Sequence, residues 1–284
     1  MKFLHLFCLL VLLALCASTT LATENTNYTL ASSTFKRYVN ELRTPTGMNI
    51  LRDAPADHLH HHALMYAIRV GGHNFWEESE QNAGKQIVIP NQDSSIGQKT
   101  SKETIHWNIP GEKTLLQEVR SISLAQEGGN VTLLDWQSAC KAVNDTVLGD
   151  VGKGHYHGLG MRFALDMDKE GRFFNDTGKN NGEIVRGDER LTRCKWMAYT
   201  AKLAGKPVTV AMFDHPSNPV PMTAFTMGDT GNGPFAYMSA TMNLHREPVK
   251  LKAEQSFTFQ YRIAVWDGET APEIIEKAYT DYVR

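Results

Sequence analysis

The chain has 284 residues, of which 42% are hydrophobic and 21% charged, and its formal net charge is −2. That length suits one large domain or two small ones, and the composition excludes a disordered, collagenous or coiled-coil chain. The near-neutral balance speaks against a nucleic-acid binder, which carries a basic excess.

Met1 and Lys2 give a short basic start, Leu4 to Ala17 is an apolar run broken by His5, and Thr20-Leu21-Ala22 is a small-x-small cleavage site. This pattern predicts a secretory signal peptide over residues 1–22 and an exported protein, periplasmic or extracellular after cleavage near Ala22. The run is shorter than the ~20 apolar residues of a transmembrane helix, and no later segment is apolar enough to span a bilayer. A competing reading takes Leu13-Ala14-Leu15-Cys16 as a lipoprotein box with Cys16 lipidated. Cys140 and Cys194 remain in the mature chain, either paired, as export permits, or buried as thiols.

Residues 23–284 read as a single, mostly β domain. Asp57-His58-Leu59-His60-His61-His62 is the sharpest local feature, with four of the eleven histidines in five positions. If the segment is extended, His58, His60 and His62 share one face while Asp57 and His61 share the other. Histidine suits proton transfer or metal ligation because its proton is labile near neutral pH, and a neighbouring carboxylate orients the ring. Residues 80–102 and 169–192 are polar and rich in Gly, Asn and Asp, and are expected to be long surface loops. Glu118 and Arg120 alternate with Val119 in a strand-like run, as a buried acid–base pair or a solvated face.

Val131 to Trp136 follows a turn cluster and predicts a strand. Gly154-His155-Tyr156-His157-Gly158-Leu159-Gly160 alternates two histidines between glycines, which permit close approach of backbone or ligand or mark a plain turn. Gly160 to Leu165 is strand-like, and Trp196–Leu203 with Val208–Phe213 reads as a hairpin. Asp214-His215-Pro216-Ser217-Asn218-Pro219 places an Asp-His pair at a strand end, as a functional loop or a Pro-kinked turn. Phe235 to Met242 and the alternating Phe257 to Trp266 complete the strands. Pro272 to Val283 is the one helix, with Thr270 as its cap and Ile274, Ile275, Ala278, Tyr279 and Tyr282 on one face. Strands spaced this regularly predict a β-sandwich. The chain carries no G-x-S-x-G elbow, P-loop or H-E-x-x-H, which argues against the common serine hydrolases and nucleotide enzymes.

At these residues the sequence resembles a family of exported bacterial proteins, frequent in planctomycetes, whose members often carry a label borrowed from a methane monooxygenase subunit. The shared features are Leu42-Arg43-Thr44-Pro45-Thr46-Gly47, Arg52-Asp53, and a D-H-P-H-H-R-G box matched at Asp57, His58, His60 and His61. Leu59, His62 and Ala63 depart from that box. Phe75-Trp76, Glu118 and Arg120, Gly160-Met161-Arg162, Trp196 and Tyr199, Phe213 to Pro219, and Tyr261-Arg262 to Asp267-Gly268 continue the match, which covers residues 36–284. The family is similar to the galactose-mutarotase-like supersandwich group. That resemblance implies a large antiparallel β-sandwich with a concave carbohydrate-binding face, as in sugar epimerases, polysaccharide lyases and parts of glycoside hydrolases. The methane label implies a membrane-embedded copper enzyme, which a cleaved leader without a transmembrane run contradicts.

The resulting expectation is an exported carbohydrate-active enzyme of epimerase, lyase or hydrolase type, acting by acid–base chemistry on a sugar. His61 or His157 is the expected acid and Glu118 the expected base. Asp57, Trp76, Arg162, Asp214 and His215 are the expected substrate contacts. A metal-assisted form would place zinc or another divalent ion on His58 and His60 with His155 or His157. The alternative is a carbohydrate-binding protein without turnover.

Overall fold

The computed structural model describes residues 27–284 apart from 80, 82, 91, 92, 98, 127, 128 and 232. The expected leader, with Cys16 and the cleavage site at Ala22, lies outside the described residues. In chain order the strands are β1 (Tyr28–Ser32), β2 (Arg37–Leu42), β3 (Leu64–Ala67), β4 (Arg69–Val70), β5 (His73–Asn74), β6 (Lys85–Ile89), β7 (Ser95–Ile96), β8 (Thr100–Asn108), β9 (Thr114–Gln126), β10 (Val131–Ala142) and β11 (Thr146–Leu148). They continue as β12 (Gly158–Arg162), β13 (Arg172–Asn175), β14 (Glu183–Arg186), β15 (Glu189–Arg193), β16 (Trp196–Leu203), β17 (Lys206–Asp214), β18 (Thr223–Asp229), β19 (Pro234–Thr241), β20 (Val249–Leu251) and β21 (Ser256–Asp267), followed by helix α1 (Pro272–Tyr282).

These strands build the expected large antiparallel β-sandwich with a short C-terminal helix. An eight-stranded sheet runs β1-β2-β3-β12-β19-β18-β15-β14 and a nine-stranded sheet β13-β16-β17-β21-β10-β9-β8-β6, with β7 also paired to β8; β20-β11-β4-β5 forms a small third sheet. Alternation on the long strands explains the layering. Along β10, Leu134, Trp136, Ser138 and Cys140 are buried while every second residue is partly or fully exposed. Tyr66 of β3 meets Trp107 of β8 and Phe259 of β21 across the interior, with ring centroids 5.8 and 6.3 Å apart.

A polar network also crosses that interior. Glu118 is fully buried and accepts from Arg120 Nε at 2.8 Å, Trp107 Nε1 at 2.8 Å and Ser138 Oγ at 2.6 Å. Arg120 reaches across to the Arg37 carbonyl at 2.7 Å and to Gln86 at 3.1 Å, and Gln86 donates to the Tyr66 carbonyl at 2.6 Å. Every member has partners, as a buried ionic group requires. Glu118 and Arg120 therefore form the buried pair, and it ties the two sheets together.

Two expected loops contain strands instead. Residues 80–102 hold β6, β7 and the start of β8, and residues 169–192 hold β13, β14 and most of β15. The hairpin at β16 and β17 pairs as expected, Trp196 opposite Phe213. The helix starts at Pro272 with Ala271 at its N-cap and no side-chain cap. Thr270 is not that cap: its N–H donates to Thr209 Oγ1 at 3.0 Å. Ile275 and Tyr279 pack on Phe213, Trp196 and Trp266, whereas Ile274 is exposed. Cys140 and Cys194 are both buried free thiols. Among the described residues no helix is long and apolar enough to cross a membrane.

Candidate functional site

The histidine box is not extended. His58 N–H donates to the Pro55 carbonyl at 2.8 Å and His61 N–H to the His58 carbonyl at 2.9 Å, which makes two successive turns. Ala54 (φ 38°) and Ala63 (φ 44°) hold the left-handed conformation at either end. The face-sharing expected of a strand therefore fails. His58 stacks on His61 with centroids 4.7 Å apart, and His60 meets His61 edge-on at 4.5 Å. His62 turns away, with Nδ1 2.7 Å from Asp53 Oδ1 and Nε2 3.0 Å from Glu78 Oε1.

A buried lysine pins this loop. Lys36 donates to the carbonyls of His60 at 3.1 Å and Trp76 at 2.5 Å and pairs with Glu78 at 3.1 Å. Burial pulls Lys36 down to about 8 although Glu78 opposes it. Burial pushes Glu78 up, yet the His62 hydrogen bond and the Lys36 charge outweigh it and hold the carboxyl at about 2.

The second histidine box packs beside the first. His157 stacks on Trp76 with centroids 5.0 Å apart, and Trp76 meets His61 edge-on at 5.8 Å. Gly154, at φ 67°, is required here: a Cβ would lie 2.4 Å from the His157 ring. His155 points the other way, its Nε2 3.2 Å from Glu189 Oε2. Tyr156 donates to Glu77 at 2.9 Å.

Together these loops roof a cavity of about 140 Å³ on the outer face of the eight-stranded sheet. Its floor is Phe225 and Met227 of β18 with Phe235 and Tyr237 of β19, which share a face because Met227 pairs with Tyr237 and the residues alternate. Its walls are His58, His61, Tyr156, Arg186 and Glu189. Arg186 and Glu189 flank the two-residue turn between β14 and β15, and Arg186 Nη2 lies 2.6 Å from Glu189 Oε1. Glu189 is 3% exposed although it lines the cavity.

Desolvation sets the protonation state of the roof. Burial, reinforced by neighbouring positive groups, holds His61 and His157 well below their ordinary value and takes His60 down to about 4. Burial also lowers His155, against the pull of Glu189. These rings are therefore neutral at pH 7. His61 Nδ1, His157 Nε2 and Trp76 Nε1 are buried without a hydrogen-bond partner. A buried polar atom left unpaired is costly unless a ligand or water completes it.

The other expected residues divide. Asp57 belongs to the site, with Oδ2 3.2 Å from His58 Nδ1. Arg162 lies beneath it: Asp168 binds the guanidinium at 2.8 Å, the Ala236 carbonyl accepts at 2.7 Å, and its Cζ lies 3.8 Å from the Phe235 ring centroid. It supports the floor and is only 1% exposed. Trp76 is fully buried, so it backs the histidines and presents no stacking platform. Glu118 sits in the interior network with Trp107, Arg120 and Ser138. Asp214 and His215 stand apart, partnered by Asn218 and Met222, and by Ser217 and Tyr282. Of the expected metal ligands, His58 and His60 lie edge-on with ring centroids 5.7 Å apart, while His155 pairs with Glu189. Among the described residues no three His, Cys, Asp or Glu side chains are grouped to hold a metal ion.

Sequence reasoning missed Lys36, Asp53, Glu78, Arg186 and Glu189. For the last two a signal exists, since Gly187-Asp188 is a hairpin-turn dipeptide between charged residues.

Among solved structures, the chain is similar to a GH36 α-galactosidase from Geobacillus stearothermophilus in complex with raffinose, at 13% identity and a TM-score of 0.37, over 85% of this chain and 32% of that one. A variant α-galactosidase of that organism in complex with stachyose is similar at 12% identity and a TM-score of 0.41, over 85% and 39% of the two chains. The Slr1438 protein from Synechocystis sp. PCC 6803 is similar at 9% identity and a TM-score of 0.34, over 64% and 66%. The chain thus spans about a third of the length of the raffinose-bound α-galactosidase. No curated protein sequence matches it. The model of a family described as "Family of unknown function (DUF6807)" matches residues 19–280, and the chain belongs to that family.

Proposed function

We propose that the histidine cleft binds one sugar unit and that the protein acts on it by acid–base chemistry in the exported compartment. The observation that carries the proposal is that Glu189 and the stacked His58–His61 pair line one cavity together with the aromatic side chains of Phe225, Phe235 and Tyr237. Phe235 and Tyr237, buried at 3% and 1% exposure, give the cleft an apolar lining suited to the C–H groups of a pyranose, while a carboxylate, a guanidinium and imidazoles suit its hydroxyls.

In this reading Glu189 takes the proton, and His58, beside Asp57 at 3.2 Å, gives one. His61 is held neutral by burial, so it serves as a hydrogen-bonding imidazole and not as the acid. Glu118 has no place in the reaction, since its carboxylate is consumed by interior partners. A second reading, binding without turnover, is favoured by Glu189 itself: Arg186 and His155 occupy both of its oxygens.

Mass-spectrometric screening of neutral sugars, uronates and oligosaccharides, with Glu189→Gln and His58→Ala alongside, separates these readings. Conversion by the wild type that both variants abolish, with binding retained in Glu189→Gln, supports the enzyme. Saturable binding without conversion supports the second reading. Failure of every sugar to bind ends both.

A further inference from the structure

The Asp214–Pro219 box takes no part in the histidine cleft, yet it is heavily constrained. Asp214 accepts from Asn218 Nδ2 at 2.7 Å and from the Met222 N–H at 2.9 Å. Asn218 also pairs with the backbone of Gln260, donating to its carbonyl at 2.9 Å and accepting from its N–H at 2.7 Å. Gln260 Nε2 donates to Ser217 Oγ at 3.0 Å. The box thus clamps the loop after β17 against β21 and sets Ser217, Pro219 and Val220 as one wall of a second cavity, of about 280 Å³.

This cavity opens where the three sheets meet. Its interior is Leu148 of β11, Leu251 of β20, Phe259 of β21 and Met242 just after β19, all buried. Val249, Val220 and Phe257, partly buried, narrow the mouth. Ser217, Gln255, Ser256 and Thr258 supply the polar groups there. Among the described residues no charged side chain lines the cavity, and it shares no lining residue with the histidine cleft.

We propose that this cavity is a second binding site, which takes an uncharged amphiphile: an apolar chain or ring system between the sheets and a neutral polar head at the mouth. Size and charge carry the assignment. The volume is roughly twice the ~150 Å³ that holds a benzene ring in an apolar cavity. An anionic or cationic head would meet hydroxyls and amides but no counter-charge, and a desolvated charge without a partner is disfavoured. The box's own Asp214 offers none, since both carboxylate oxygens are engaged behind the wall.

The neutral fluorophore N-phenyl-1-naphthylamine is the probe, titrated against the full mature chain. The expected result is saturable fluorescence enhancement at one equivalent. Octan-1-ol should displace the probe, and octanoate should do so at least tenfold less well. Val249→Trp and Val220→Trp, which fill the mouth from opposite walls, should each weaken probe binding tenfold or more at unchanged circular dichroism. His61→Ala in the other cleft should leave probe binding as it was. Absence of saturable enhancement, octanoate competing as well as octanol, wild-type binding by a folded mouth variant, or loss of binding in His61→Ala would each overturn the assignment.

Discussion

Replacing Lys36 by methionine tests how the cleft is held in place. Lys36 is 1% exposed, and its ammonium faces Glu78 at 3.1 Å and donates to the His60 and Trp76 carbonyls. Removing one partner of a buried pair costs ~3–5 kcal/mol when the other charge stays sealed. Glu78 keeps His62 at 3.0 Å, and its side chain is 20% exposed, so water reaches it and the cost falls to the low end. Methionine preserves most of the volume, so no large cavity adds to this. A working figure of about 3 kcal/mol follows, which for a chain of this size lowers Tm by roughly 6–12 °C.

The dependence on pH gives a sharper signature. Burial draws Lys36 to about 8 in the folded chain, and an unfolded lysine titrates near ~10.4. Between those values the unfolded chain binds more protons, so the wild type gains stability as pH rises through the window. Lys36→Met lacks that gain, so its cost should grow from pH 8 towards pH 10. Adding Glu78→Leu should recover part of the loss, because no carboxylate is then stranded. Urea unfolding followed by circular dichroism measures all three. A cost below about 0.5 kcal/mol at pH 7, the range of ordinary surface substitutions, would refute the reasoning, as would a cost that shrinks with rising pH.

Three further outcomes are expected. A Cβ on Gly160 would lie 1.8 Å from Tyr237 Oη and 2.8 Å from the Trp76 ring, so Gly160→Ala should cost ~1–3 kcal/mol by overpacking. Tyr237→Phe in the same chain should recover part of it, and no recovery in thermal melts would argue against this contact. Glu118→Gln strands the Arg120 guanidinium and should cost ~3–5 kcal/mol in urea unfolding without changing sugar affinity in the folded fraction. Lost affinity at unchanged stability would return Glu118 to the reaction. Burial, opposed by Met222 N–H and Asn218, lifts Asp214 to about 6. Its unfolded value is ~3.9, so between the two the folded chain holds the extra proton and stability falls as pH rises. Unfolding curves of wild type and Asp214→Asn should therefore diverge between pH 4 and 6, and parallel curves would contradict the assignment.

The sandwich was legible because its central strands alternate. Phe257 to Trp266 shows the pattern in its first half, and the Ala204-Gly205-Lys206-Pro207 turn marks the hairpin of Trp196–Leu203 with Val208–Phe213, which pairs as read. The edge strands were not legible. Glu183–Arg186 is exposed at all four positions, so no periodic burial marks it; the inner strand β8 was hidden for another reason, since it buries Ser101 and Glu103 where a simple pattern wants apolar residues. The two histidine boxes do come together, through Trp76 and the cleft roof. Their internal geometry was misread because two turns, bounded by alanines with left-handed backbone, replace a strand. Pro55 opens the first turn, a signal that period-two reasoning passes over, and the second turn, His58 to His61, holds no Gly, Pro or Asn to mark it. Glu118 drew notice for its alternation with Arg120, yet that alternation reflects burial between the sheets. Glu189 sits in an ordinary charged hairpin and acquires its place only through the fold.

The most direct test of the sugar-cleft assignment is a crystal structure of the protein with the tightest-binding sugar from the screen. The account predicts one sugar ring over Phe235 and Tyr237, with hydroxyls within hydrogen-bond distance of Glu189 and of the unpartnered Nδ1 of His61. A sugar bound elsewhere, at the Asp214–Pro219 box or on the outer face of the nine-stranded sheet, with the histidine cleft unchanged, would contradict it.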